Sequence, residues 1–131
     1  MRITGLYAGL AALLILVLAC RVMLRRRDTR TGIGDGGDHE LVKRIRAHAN
    51  AIEYLPIGLL LLLVIELNQT QPLFVHVFGI SLLVGRALHA FGMSKSSGPG
   101  AGRLLGMVLT LLAIGAMAAL LIWQYLIMAT F

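Results

Sequence analysis

Charge is scarce in this sequence: only 14% of its 131 residues are Asp, Glu, Lys or Arg, and there is one cysteine. So little charge excludes an ordinary soluble domain, in which about a quarter of the residues are charged. The lone cysteine excludes an internal disulfide and a cysteine-built metal site, so any thiol chemistry has to arrive with a substrate. What is present is apolar. Hydrophobic residues make up 58% of the chain and mean hydropathy is +0.85, a composition that belongs in lipid. A membrane-spanning helix takes about 20 residues, so four spans consume over half of the chain and leave little for a soluble domain.

The expected fold is therefore all-α: a single membrane domain over residues 1–131, a bundle of four transmembrane helices at about 3–24, 39–68, 72–93 and 103–130. The first apolar run resembles a signal peptide, and Leu18-Ala19-Cys20 resembles a lipoprotein cleavage site. Cleavage there would leave three spans, however, and the run is long and ends on the stop Arg25-Arg26-Arg27, so it reads as a retained helix. Between the spans lie a glycine-rich loop (Gly32-Ile33-Gly34-Asp35-Gly36-Gly37), the uncharged turn Asn68-Gln69-Thr70-Gln71 and a glycine- and serine-rich segment, 94–102. Pro72 suits the first turn of the third helix.

The net charge of +6 resides in these connections, not on one extended face, which points to membrane-proximal loops and away from nucleic acid. Arg25, Arg26, Arg27, Arg30, Lys43, Arg44 and Arg46 outnumber Asp28, Asp35, Asp38 and Glu40, and Lys95 and Arg103 flank the other charged loop. The positive-inside rule places loops 25–46 and 94–103 in the cytoplasm and both termini outside, for a bacterial inner-membrane protein. Trp123 and Tyr125 suit the outer interface.

Some polar residues nevertheless fall inside the spans. Glu53 lies in the second, where an unpaired carboxylate costs about 2.5–3.5 kcal/mol. Arg46, Asn50 and Glu53, four and three residues apart, share one helical stripe, and Arg86 and His89 form a second such pair on the third helix. Two readings stand open. Glu53 and Arg86 form an interhelical ion pair with Asn50 and His89 as hydrogen-bonding glue, or these groups line a cytoplasmic pocket for a small zwitterionic or anionic ligand. Pro56 removes a backbone donor beside the cluster and predicts a kink. His48 and His76 read as structural. No paired His or Cys spacing suggests a metal, and the glycine-rich loop lacks a phosphate-loop lysine and its preceding strand.

The stretch Arg46-Ala47-His48-Ala49-Asn50-Ala51-Ile52-Glu53-Tyr54-Leu55-Pro56 resembles the second-helix motif of the MAPEG family, membrane-associated proteins of eicosanoid and glutathione metabolism. Val84-Gly85-Arg86-Ala87-Leu88-His89 resembles the third-helix segment of the same family, and length and span number agree. The resemblance implies a homotrimer binding glutathione between subunits near the cytoplasmic surface, lined by Arg46, Asn50, Glu53, Tyr54, Arg86 and His89, with Arg26 from the first loop. It further implies that Arg103, at the start of the fourth helix, stabilises the glutathione thiolate. Two positions depart from the pattern: an ungapped extension puts Gly102 where that arginine belongs, and Met93 replaces a common tyrosine.

Three functions follow as expectations. The first is a glutathione S-transferase or peroxidase acting on lipophilic electrophiles that arrive through the bilayer. The second is a glutathione- or anion-binding membrane protein without turnover. The third is a small proton-coupled multidrug exporter using Glu53, against which Arg46 and Arg86 argue by repelling a cationic cargo.

Overall fold

The computed structural model describes residues 2–95 and 100–128. They form four helices, α1 (Arg2–Thr29), α2 (His39–Leu67), α3 (Pro72–Lys95) and α4 (Ala101–Met128), each long and apolar enough to cross a membrane. The chain runs up and down, so the 30–38 loop, the end of α3 and the start of α4 share one end and the 68–71 turn lies at the other. α1 packs on α2 and α3, α4 packs on α3 and α2, and α1 and α4 make no contact among the described residues.

Burial follows a logic opposite to that of a soluble protein. Leu13, Leu16, Leu105, Leu112 and Ile122 lie exposed on the outside of α1 and α4, as suits a surface whose solvent is hydrocarbon. The interior contains many small residues: Ala11, Ala47, Ala51 and Ala90 pack with Leu18, Leu55, Leu82 and Met93. Lipid supplies no hydrophobic drive for helices to associate, so close packing across small side chains has to supply it. The α3–α4 seam is closest. A Cβ on Gly106 would stand 2.5 Å from the Gly85 carbonyl oxygen and from the His89 nitrogen, and one on Gly92 would stand 2.6 Å from the Arg103 nitrogen.

Three boundaries differ from the sequence expectation by two residues or more. α1 continues past residue 24 to Thr29, α3 reaches Lys95, and α4 begins at Ala101, narrowing the expected 94–102 loop. The expected end of the fourth helix at 130 lies outside the described residues. The extension of α1 has a local cause. Arg30 adopts a left-handed conformation (φ 53°), and Thr31 N–H reaches the Arg26 carbonyl at 3.0 Å while Arg30 N–H reaches Arg27 at 3.3 Å. This is a Schellman closure, usually made by glycine. α2 ends in the same way on Gln69 (φ 55°), with Thr70 bonded to Ile65 and Gln69 to Glu66. Pro56 lies within α2, whose helical assignment continues through it.

Both ends are fastened by polar contacts. At the turn end the Glu66 carboxylate accepts from Ile3 N–H (3.1 Å) and Thr4 N–H (2.8 Å), satisfying free donors at the start of α1. Tyr7 Oη lies 2.9 Å from His76 Nδ1, joining α1 to α3 at this end. At the loop end Arg44 donates to the Arg21 carbonyl, Arg21 to Ser94 Oγ, and Arg25 grips Asp38 with two bonds of 2.6 and 3.2 Å.

Asp38 also caps α2, accepting from Glu40 N–H at 3.0 Å. The bond from Arg25 holds its carboxyl below the usual carboxylate range. A carboxyl lowered in the folded state contributes stability that is present above its unfolded value of about 3.9 and is lost as pH falls through the folded pKa. The loop anchor is therefore expected to hold at neutral pH and to release only in strong acid. Asp38→Ala is expected to speed trypsin cleavage at Arg30 at neutral pH, whereas Asp38→Asn, which keeps a capping oxygen, speeds it less. Equal cleavage in all three proteins would mean that the pair does not anchor the loop.

Candidate functional site

The polar stripe of α2 divides between inside and outside. Asn50 is buried, Tyr54 is half-buried, and Arg46 and Glu53 are exposed on the lateral surface of the helix. From α3, Arg86 (1% exposed) and His89 (4%) enter the core.

Arg86 joins three helices. Its Nε donates to Thr110 Oγ1 of α4 at 2.8 Å, Nη1 to Asn50 Oδ1 of α2 at 2.5 Å, and Nη2 to the Gly106 carbonyl at 3.2 Å, with Met107 Sδ at 3.6 Å. The guanidinium carbon also lies 4.8 Å from the centre of the Tyr54 ring, within cation–π range. A buried charge is tolerated only when its donors find acceptors. Here the acceptors are neutral.

The direct Glu53–Arg86 ion pair, one of the two readings of the sequence, is absent among the described residues. Asn50 stands between the two groups: its oxygen accepts from Arg86, and its Nδ2 donates to Glu53 Oε2 at 3.4 Å. The physical reason is helical phase. Glu53 lies on the outward side of the stripe and Asn50 on the inward side, so the amide reaches the guanidinium first. The other Glu53 oxygen has no protein partner among the described residues.

The remaining expected residues form two further groups. Arg26 and Arg46 line a groove of about 320 Å³ with Gly34, Asp35, Val42 and Ile45 at the loop end. Arg26 spends one nitrogen on the carbonyls of Thr31 (3.4 Å) and Gly32 (3.2 Å), and its remaining N–H groups are still available as donors. Arg103 is half-buried beside Gly92, and both Arg103 and Arg86 lie near enough to His89 to act on it electrostatically. Met93 is buried in the core, where its thioether offers no hydroxyl.

Sequence reasoning missed Thr110, Gly106 and Glu66. The spacing of Gly102, Gly106 and Thr110, four residues apart, is a small-residue stripe of the kind that seats a neighbouring helix, and it could have identified the first two. Glu66, a second carboxylate within the second span, is engaged by α1 rather than by the polar stripe.

Comparison with known proteins agrees with this architecture. The MAPEG family model matches residues 4–123. Two curated relatives, both named inner membrane protein YecN, from Escherichia coli strain K12 and from E. coli O6:H1 strain CFT073, are each 43% identical over 90 residues, which is 69% of this chain and 69% of theirs. With the four-helix fold, the near-complete family match and this identity together, the chain belongs to the MAPEG family.

Proposed function

We propose that this protein binds glutathione between neighbouring copies of itself in the inner membrane and uses it against lipophilic electrophiles, as a transferase or peroxidase. The observation that carries the reading is the lateral face of α2, which leaves a carboxylate, Glu53, exposed within the span, where lipid would otherwise lie, and a guanidinium, Arg46, exposed on the same face nearer the loop end. A carboxylate is not at home in hydrocarbon, and a second copy with a zwitterionic ligand between them would satisfy both groups. The residues fit such a ligand. Glu53 offers a free oxygen to an ammonium, while Arg46 and Arg26, which share a groove, offer N–H donors to carboxylates. Glutathione would supply the thiol for the reaction, and the cation of Arg103 favours the thiolate form. Three copies in the assembly, with the charged segments 25–46 and 94–103 on the cytoplasmic side, complete the reading, the latter supported by the excess of basic residues there.

A second reading, binding without turnover, is favoured by one observation: Met93 offers no hydroxyl to the thiol. Proton-coupled export of a cation gains nothing from a Glu53 one amide away from a buried guanidinium.

Calorimetry of glutathione with the purified protein in detergent tests the proposal. Wild type is expected to bind, and Glu53→Gln to bind about ten-fold more weakly or worse, a loss of about 1.4 kcal/mol. Ultraviolet absorbance of the bound thiolate, present in wild type and lost in Arg103→Ala, would separate the enzyme from the silent binder. Native mass spectrometry is expected to count three chains. Absence of glutathione binding in wild type would overturn the proposal.

A further inference from the structure

The contacts around Arg86 form a directed chain across three helices. Thr110 Oγ1 donates its own hydrogen to the Gly106 carbonyl at 2.9 Å, so toward Arg86 Nε it can act only as acceptor. The guanidinium is planar and rigid, so fixing Nε against α4 fixes where Nη1 points. Nη1 takes the Asn50 oxygen at 2.5 Å. An amide whose oxygen is committed to one side presents its NH2 to the other, and there Asn50 Nδ2 meets Glu53 Oε2. Each bond leaves the next group a single orientation. The last member is the exposed carboxylate, and the first is a hydroxyl on a different helix, 57 positions along the chain from it by number (110 against 53).

We infer that Thr110 is a positioning residue for Glu53: through Arg86 and Asn50 it sets the direction in which the Glu53 carboxylate faces a cationic group of the bound molecule. The chemistry selected is an ammonium at that point of the ligand. For the identity of the ligand this inference rests on the glutathione reading above; the chain of bonds itself does not. α4 thereby controls a recognition group on α2, although Thr110 is fully buried and reaches the lateral face only through its neighbours.

The test compares wild type with Thr110→Val, which keeps shape and loses the hydroxyl, and with Thr110→Ser, which keeps the hydroxyl. Dissociation constants are measured by calorimetry for glutathione and for its analogue lacking the α-amino group. Thr110→Val is expected to weaken glutathione about ten-fold and leave the deamino analogue unchanged, and Thr110→Ser to restore wild-type affinity. Equal losses for both ligands, as from a merely loosened fold, or no loss for either, would overturn the inference.

A second readout needs no ligand. The infrared carboxylate band of Glu53, isolated by difference against Glu53→Gln, is expected to shift in Thr110→Val and to return in Thr110→Ser. If wild type binds neither ligand, the glutathione reading fails alone and this band decides the positioning role: a shift supports it, and an unmoved band ends it. Should Thr110→Val not fold, Thr110→Cys, a weaker acceptor, takes its place with a smaller shift expected in the same direction.

Discussion

Gly106→Ala is expected to destabilise the bundle by about 3 kcal/mol, a large cost for one methyl group. The added carbon would meet the Gly85 carbonyl oxygen and the His89 nitrogen at 2.5 Å, and both are backbone atoms that no side-chain rotation can move aside. α3 and α4 would have to separate. Separation would also draw the Gly106 carbonyl and Thr110 away from Arg86, so close packing and hydrogen bonding would fail together. Gly115→Ala on the same helix is the control. Nothing lies within 4 Å of its added carbon, and replacing glycine inside a helix is worth up to about 1 kcal/mol in the stabilising direction. Equilibrium unfolding in mixed micelles measures both, and similar values for the two variants would mean that the seam is not close-packed.

Arg86→Ala is expected to cost about 3–5 kcal/mol. It empties the volume of a fully buried side chain and leaves the Asn50 oxygen without its donor. The asymmetry between breaking a polar network and replacing it supplies a sharper comparison. Arg86→Met fills most of the volume and still orphans Asn50, so it should lose less than alanine but remain below wild type. Combining Arg86→Met with Asn50→Leu removes donor and acceptor together and is expected to recover much of the loss. It should not recover ligand binding, because the amide that holds Glu53 has gone. An Arg86→Ala protein within about 1 kcal/mol of wild type would show that the three-helix junction contributes little.

Much of this architecture could be read from residue order alone. Four apolar runs separated by two charged or glycine-rich segments and one uncharged polar turn define four spans because nothing else can be done with so much apolar surface. The stripe of Arg46, Asn50 and Glu53 was equally visible, since helical spacing is a property of one segment. What needed coordinates was every relation between segments. That Arg86 turns to Asn50, Thr110 and Gly106 depends on how far α4 slides and rotates against α3, and the close approach at Gly85 and Gly106 sets both. Glycines were apparent in the sequence; the backbone opposite each was not. The end of α1 was misplaced for a different reason. Three successive arginines read as a membrane boundary, which they can be, but a boundary of the bilayer is not a boundary of the helix, and α1 continues to a closure made by Arg30 where glycine would be expected.

The amide placed between Arg86 and Glu53 has an electrostatic consequence. A contact ion pair nearly cancels its own field, whereas separating the charges by an amide leaves a longer dipole that reaches from the core to the lateral face of α2. Its positive pole, Arg86, is sealed in the core, and its negative pole, Glu53, is at the lateral surface. In a medium of low dielectric constant such a field fades slowly with distance. With Arg46 exposed on the same face, whatever approaches α2 sideways meets alternating potential along the helix rather than a uniform apolar wall. Neutral hydrocarbon gains nothing from that pattern, and a neighbour carrying charges in complementary order aligns to it before any contact is made.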